Sequence, residues 1–285
     1  MLFRSKPDDT TERREFYRRL SKNGAAPLWE VLADLVPVEP RPACVPNLWR
    51  YDELRPLLME AGGLITAKEA ERRVLMLENP GMPGSSLITH SLYAGLQLVM
   101  PGEITPTHRH TAAALRFILE GNGAYTAVDG VRIVMHPGDF ILTPSWTYHD
   151  HGNPSSEPIV WLDGLDIPMV NMFSTGFAEH HPDETQAVVR TEGGLETRHS
   201  LNLLPVENAS PGQNAPVFAY PYSRSREALE RSLGDAPLDP CHGMKMRYVN
   251  PATGGYPFPT IGAFLQLLPK GFNGSPYRST DATVF

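Results

Sequence analysis

The stretch Pro101-Gly102-Glu103-Ile104-Thr105-Pro106-Thr107-His108-Arg109-His110 sets two histidines one residue apart behind a Pro-Gly turn. Residues i and i+2 of a strand project from the same face, so His108 and His110 would aim both imidazoles at one point, where a single metal ion could sit. Taken alone, His-x-His is a weak signal, because two partly exposed strand histidines satisfy the same spacing. A downstream companion strengthens it. A second turn, Pro137-Gly138-Asp139, is followed by Pro144 and then by His149. The intervening length suits a return through a hairpin to a neighbouring strand, which would bring a third imidazole to the first two.

Outward from this stretch, residues 74–77, 95–100, 115–119, 124–128, 131–135, 140–143 and 159–162 are short runs rich in β-branched and apolar residues. Pro101-Gly102, Gly121-Asn122-Gly123, Asp129-Gly130, Pro137-Gly138-Asp139 and Gly152-Asn153-Pro154 punctuate them. Asp129-Gly130 is a two-residue hairpin signal. So many short runs at close spacing predict a β-sandwich or barrel. Upstream, residues 11–20 are charged and helix-compatible, 28–36 carry an apolar stripe at helical spacing, and 51–61 predict a short helix ended by Gly62-Gly63. Residues 170–255 are less regular, with a polar stretch over 180–200 and one helix expected around 223–233.

Near the end, Leu265-Gln266-Leu267-Leu268-Pro269-Lys270-Gly271 echoes Leu96-Gln97-Leu98-Val99-Met100-Pro101-Gly102. In register, His108-Arg109-His110 falls on Tyr277-Arg278-Ser279, so the chain begins a second barrel that has lost its histidines. The expected organisation is a helical or irregular region over 1–73, a metal-binding barrel over 74–170, a linker over 171–255 and the start of a second barrel over 256–285. An open ladder of unpaired strands favours association. The chain is therefore expected to be a fragment of a longer polypeptide, or to complete that barrel across a subunit interface.

The bulk composition excludes several classes. A net charge of −7 and the lack of a basic stripe argue against a nucleic-acid partner. Two cysteines, Cys44 and Cys241, cannot build a zinc ribbon, and nothing marks them as a disulfide pair. Residues 1–14 are charged without the apolar core of a signal peptide, and no stretch has the apolar length of a membrane span. A cytoplasmic protein without a membrane partner is the expectation.

The two histidine blocks resemble the paired cupin motifs, Gly-x5-His-x-His followed by a Pro-x-Gly turn and a return histidine. More narrowly, residues 101–153 and the helical preface around Trp29 and Trp49 resemble the gentisate 1,2-dioxygenase family and its salicylate and 1-hydroxy-2-naphthoate relatives. The resemblance implies a double-stranded β-helix (the cupin jelly-roll barrel), mainly β. It also implies an Fe(2+) cofactor on His108, His110 and His149, a small aromatic acid and O2 as substrates, and a homo-oligomer, a tetramer in such relatives. Many metal-binding cupins carry a Glu ligand where this chain has Ala114 and Leu115, and the gentisate branch is similar to this sequence in lacking it. Three neutral ligands leave the ion its full charge, which suits a dianionic chelating substrate. Three facial nitrogens also leave three coordination positions, enough for a carboxylate, an adjacent hydroxyl and O2. By residue type alone, zinc, nickel or cobalt would also be accepted.

Around this triad, strand alternation puts Arg116 on the inward face. It is either one half of a structural ion pair or, as the resemblance implies, a bidentate clamp on the substrate carboxylate. His151 alternates with His149; it is either a hydrogen-bonded barrel histidine or, by resemblance, a group that bonds the substrate hydroxyl or oxygen and moves a proton. Gln97 and Tyr93 alternate on the strand before Pro101, and the gentisate branch resembles this chain in having Tyr at that place where the salicylate branch has Trp. Asp163 matches an Asp thought to meet the ring hydroxyl that gentisate has and salicylate lacks; otherwise it is a turn residue before Gly164. Gly95 is more like the salicylate-type relatives. Arg72 is a second cation over the carboxylate or a surface residue beside Glu69 and Glu71, and Trp146 is expected to wall the pocket. His90, His136, His180, His181, His199 and His242 have no partner at ligand spacing. The rival reading from another class is a non-catalytic cupin that binds a small molecule; iron content would separate the two.

Overall fold

Asp129 and Gly130 both take positive φ, 45° and 76°, the pair that a two-residue hairpin requires. They join β5 (Tyr125–Val128) to β6 (Val131–Val134), with Val128 opposite Val131. This hairpin belongs to a computed structural model that describes residues 9–190, 193, 194, 199 and 217–285. The remaining strands are β1 (Val74–Met76), β2 (Tyr93–Val99), β3 (Ile104–His110), β4 (Ala114–Glu120), β7 (Phe140–Thr143), β8 (His149–Gly152) and β9 (Ile159–Leu165). Later in the chain come β10 (Ala178–His180), β11 (Ala219–Tyr220), β12 (Met244–Arg247) and β13 (Phe264–Leu267).

Two antiparallel sheets make the barrel, one in the order β1-β2-β9-β4-β7-β11 and the other β10-β3-β8-β5-β6. Every run expected to be a strand is one. The pattern missed β3 and β8 as runs because polar side chains (Thr105, His108, His110, His149 and His151) occupy their inward positions. Residues 171–255, expected to be a linker, instead supply β10 and β11 to the two barrel sheets, pairing with β3 and β7. The polar stretch over 180–200 lies partly outside the described residues, at 191, 192, 195–198 and 200. Among the described residues β12 and β13 pair only with each other, Lys245 opposite Gln266. Residues 277–279, the match to His108-Arg109-His110, lie outside any strand.

The described residues up to Ala43 form one compact unit, and Cys44 to Phe285 a second. The first holds α1 (Thr11–Lys22), capped by the Thr10 hydroxyl, and α2 (Leu28–Leu35); Trp29 Nε1 donates to Tyr17 Oη at 2.9 Å between them. The second holds α3 (Tyr51–Leu64), α4 (Ala67–Ala70), α5 (Ile167–Met172) and α6 (Tyr222–Asp235), the last matching the helix expected around 223–233. α3 does not end at Gly62-Gly63 but runs through both to Leu64. A Cβ on Gly62 would lie 3.1 Å from Leu98 Cδ2 and 3.1 Å from Met100 Sδ, so this glycine serves the close approach of helix to sheet. Among the described residues no helix is long and apolar enough to cross a membrane.

Each strand of the first sheet has two faces. On β2, Ala94, Leu96 and Leu98 pack outward with Leu58 of α3, while Tyr93, Gly95 and Gln97 face the other way, into the barrel. Leu98 is 1% exposed and packs closely against Gly62 of α3. Leu98→Ala is expected to lower the unfolding free energy by about 2–5 kcal/mol, read by urea denaturation; a loss below about 1 kcal/mol would show that α3 is not tightly seated.

Candidate active site

The inward faces of the two sheets carry the site. β3 pairs with β8 so that His108 lies opposite His149 and Thr105 opposite His151, with a bulge between Thr105 and His108. Three residues of β3 thus span what two span on β8, which brings His108 level with His149. One nitrogen from each of His108, His110 and His149 lies within 4.8 Å of the others. The ring centroids are 4.3 Å apart for His108–His149, 4.9 Å for His110–His149 and 5.3 Å for His108–His110.

The rings are oriented by the backbone. His110 Nδ1 lies 2.7 Å from the Ala112 carbonyl and His149 Nδ1 3.1 Å from that of Thr147. A carbonyl accepts, so each Nδ1 carries the proton and each Nε2 keeps a lone pair for a metal; these tautomers follow from the acceptors. His108 Nδ1 faces the Pro106 carbonyl at 3.4 Å and also contacts the Arg72 guanidinium. Burial, reinforced by Arg72 and His110, depresses His108 to about 2, and burial likewise lowers His110 and His149. All three imidazoles are neutral at physiological pH, the form that binds metal. Neutral rings, Nε2 lone pairs left free on His110 and His149, and the convergence of all three on one point fit a divalent ion of the imidazole-accepting kind.

Facing the triad, Arg116 on β4 lies opposite Asp163 on β9, and Asp163 in turn lies opposite Gly95 on β2. Asp163 is therefore a strand residue within the barrel rather than a turn residue. Arg116 Nε is 3.5 Å from Asp163 Oδ1, an ion pair too long for a hydrogen bond, and another guanidinium nitrogen donates to the Thr143 hydroxyl. Trp161 Nε1 donates to the same Asp163 oxygen at 2.9 Å, and its ring lies 5.1 Å from that of His151. Thr143 and Trp161 were missed in the sequence. Trp161 could have been found, since it alternates with Asp163 on one strand, whereas Thr143 reaches the site only through the pairing of β4 with β7.

Several buried polar atoms here accept or donate no hydrogen bond within the protein: Gln97 Nε2, Arg116 Nε, and both ring nitrogens of His151. Each such atom costs about 1–3 kcal/mol when left unsatisfied. Their gathering around the histidine triad, His151 beside His149 on β8 and Gln97 and Arg116 on the other sheet, marks a place for a polar ligand. His151 is 1% exposed and held neutral by burial and by Arg116 and Arg72, so it keeps one N–H and one lone pair unspent.

Arg72 is not a surface residue. It donates to the Pro106 carbonyl at 2.6 Å and contacts His108, and burial, with the like charge of Arg116, pulls it down to about 10. Two guanidinium groups against one carboxylate leave the pocket electropositive, which favours an anion. Tyr93 borders the pocket, its phenol pushed up to about 12 by burial and by Asp163. A Cβ on Gly95 would sit 2.5 Å from Val74 Cγ1, so packing against β1 accounts for that glycine without appeal to a substrate. The described contacts do not bring Trp146 into this group: its ring meets that of Phe177 at 4.7 Å in a tilted contact and lies under the Arg109 guanidinium at 4.3 Å, and Arg109 alternates with His108 and His110.

A cupin domain family model matches residues 95–165. Over 285 residues the chain is 54% identical to gentisate 1,2 dioxygenase 1 of Aquipseudomonas alcaligenes, covering 100% of this chain and 82% of that one. It is 37% identical to a gentisate 1,2-dioxygenase of Streptomyces, over 97% of this chain and 80% of the relative. Among solved structures, salicylate 1,2-dioxygenase from Pseudoaminobacter salicylatoxidans, in adducts with gentisate, superposes with a TM-score of 0.83 at 35% identity, over 90% of this chain and 73% of that one.

The Asp163 carboxyl is pushed up to about 6 by burial, against the opposing pull of Arg116 and Trp161. A carboxyl raised above its unfolded value stabilises the fold fully below the unfolded pKa and loses that contribution as pH rises through the folded one. In the metal-free protein, Asp163→Asn should therefore gain on wild type by about 2–3 kcal/mol between pH 4 and pH 7. Parallel stability–pH curves for the two proteins would contradict the raised carboxyl.

Proposed function

The chain belongs to the gentisate 1,2-dioxygenase family of cupins, ring-cleaving dioxygenases, and from that we propose that its own substrate is gentisate, 2,5-dihydroxybenzoate. In this reading the ring opens between the carboxyl-bearing and the ortho-hydroxyl-bearing carbons, with O2 as co-substrate and maleylpyruvate as product. The observation that carries it is the set of unpartnered buried polar atoms on Gln97, Arg116 and His151, facing three neutral histidines.

His108, His110 and His149 would hold Fe(II), which when bound supplies the redox path between an electron-rich ring and O2. The residues of the chain do the rest. Arg116 offers its Nε–H, which makes no hydrogen bond within the protein, and Gln97 its amide N–H, to the substrate carboxylate; Arg72 adds a second positive charge nearby. A carboxylate received there meets charge-assisted donors in a site closed to water, where such bonds are strongest. His151, neutral and unpartnered, accepts the proton of the ortho-hydroxyl or returns one to oxygen. Asp163 accepts a hydrogen bond from the 5-hydroxyl, and Trp161 holds the carboxylate in place. The Tyr93 ring borders the aromatic plane and Tyr93 keeps its phenolic proton, since its pKa lies near 12.

The pairing of Asp163 with Tyr93 favours gentisate over salicylate or 1-hydroxy-2-naphthoate, which lack the 5-hydroxyl. With iron-loaded protein in an oxygen electrode, gentisate is expected to drive uptake and the other two acids to drive much less. Asp163→Asn should narrow that preference. Equal uptake with all three acids would overturn the gentisate reading, and no uptake with any would overturn the enzymatic one.

Arg116→Ala should raise KM for gentisate and lower kcat/KM by the equivalent of about 2–5 kcal/mol, the usual cost of losing one side of a buried charged pair. Wild-type kinetics in that variant would make Arg116 structural and move the clamp to Arg72.

A further inference from the structure

His110 and His149 are backed by the same device. The Ala112 carbonyl that accepts from His110 Nδ1 belongs to the peptide group whose N–H, on Ala113, donates to Asp166 Oδ1 at 2.7 Å. The Thr147 carbonyl that accepts from His149 Nδ1 belongs to the peptide whose N–H, on Tyr148, donates to Asp129 Oδ1 at 3.0 Å. His108 differs: the peptide behind its Pro106 carbonyl donates from Thr107 to the neutral Glu184 carbonyl at 2.9 Å. Two of three imidazoles thus stand one peptide away from a carboxylate, on unrelated loops of the barrel.

We infer that Asp166 and Asp129 are positioning residues of the metal centre, each acting through one peptide group on one ligand histidine. The inference rests on reading the triad as a metal site. A carboxylate that accepts a peptide N–H polarises the amide, and the carbonyl oxygen of that amide gains negative charge. It then accepts more strongly from Nδ1–H, which locks the ring and makes Nε2 a better donor. The triad itself holds no anionic ligand, so these two aspartates supply negative charge to it at second hand. Asp166 is further tied, through Oδ2, to the Thr260 hydroxyl at 2.6 Å, which couples residues next to β13 to the His110 ligand.

The test uses the Co(II)-loaded full chain and the exchangeable imidazole N–H resonances that the paramagnetic ion shifts. Asp129→Asn is expected to move the His149 resonance alone and Asp166→Asn the His110 resonance alone, each with a rise in the Co(II) dissociation constant on the order of threefold to tenfold. Both asparagines keep an acceptor oxygen and remove only charge, so a purely steric role would move neither. Asp129 is exposed, and that variant keeps its fold; Asp166 is 3% exposed, so Thr260→Val, an exposed change, serves as its second probe and should shift the His110 resonance only. Resonances that stay in place, or that move together in both variants, would overturn the inference. A wild-type protein with no shifted imidazole N–H at all would overturn the metal reading itself, and this inference with it.

Discussion

The pairing of β3 with β8 is the constraint on which the site depends. Its register sets His108 against His149, and its bulge absorbs the extra residue that would otherwise turn His108 away. A slip of one residue would exchange every inward side chain of β8 for its outward neighbour, replacing His149 and His151 by Tyr148 and Asp150. The outer face guards against that slip. Asp150, buried between the two histidines, accepts from the Thr107 hydroxyl at 3.2 Å and from Gln186 Nε2 at 3.0 Å, so the strands are pinned on the side opposite the histidine triad.

Charge balance follows from the same geometry. The barrel interior holds neutral imidazoles by desolvation, two arginines that repel one another, and one carboxylate too few to offset them. Arg73, beside Arg72, shows the contrast: it is satisfied by both Glu103 oxygens at 2.8 Å and by the Ile65 carbonyl, and is purely structural. Arg72 and Arg116 are left with charge to spend, and a family of acid-cleaving dioxygenases is where such a surplus is expected to be used.

Much of this was legible in the residues. The barrel followed from short β-branched runs and their turns, and the histidine triad from His108-x-His110 with a return histidine, because strand alternation is a strict period of two. The same alternation put Arg116 and His151 inward. What escaped were features set by distant pairing. Thr143 meets Arg116 only because β4 lies beside β7, and residues 178–190 join the barrel through backbone bonds to Thr107 and Gly130 that leave no trace in composition. Trp146 takes a positive φ of 63°, and its ring lies under the Arg109 guanidinium, a contact that no sequence pattern announces. Gly62-Gly63 reads as a helix end by propensity, yet packing against Leu98 keeps the helix going, since tertiary contact overrides a propensity of about 1 kcal/mol per glycine.

X-ray absorption on the iron-loaded protein tests the central claim most directly. Three imidazole nitrogens on one iron at about 2.1 Å, with the outer-shell scattering of intact rings and no sulfur, is the result this account predicts. A first shell of fewer than three imidazoles, or one dominated by carboxylate oxygen from the protein, would contradict it.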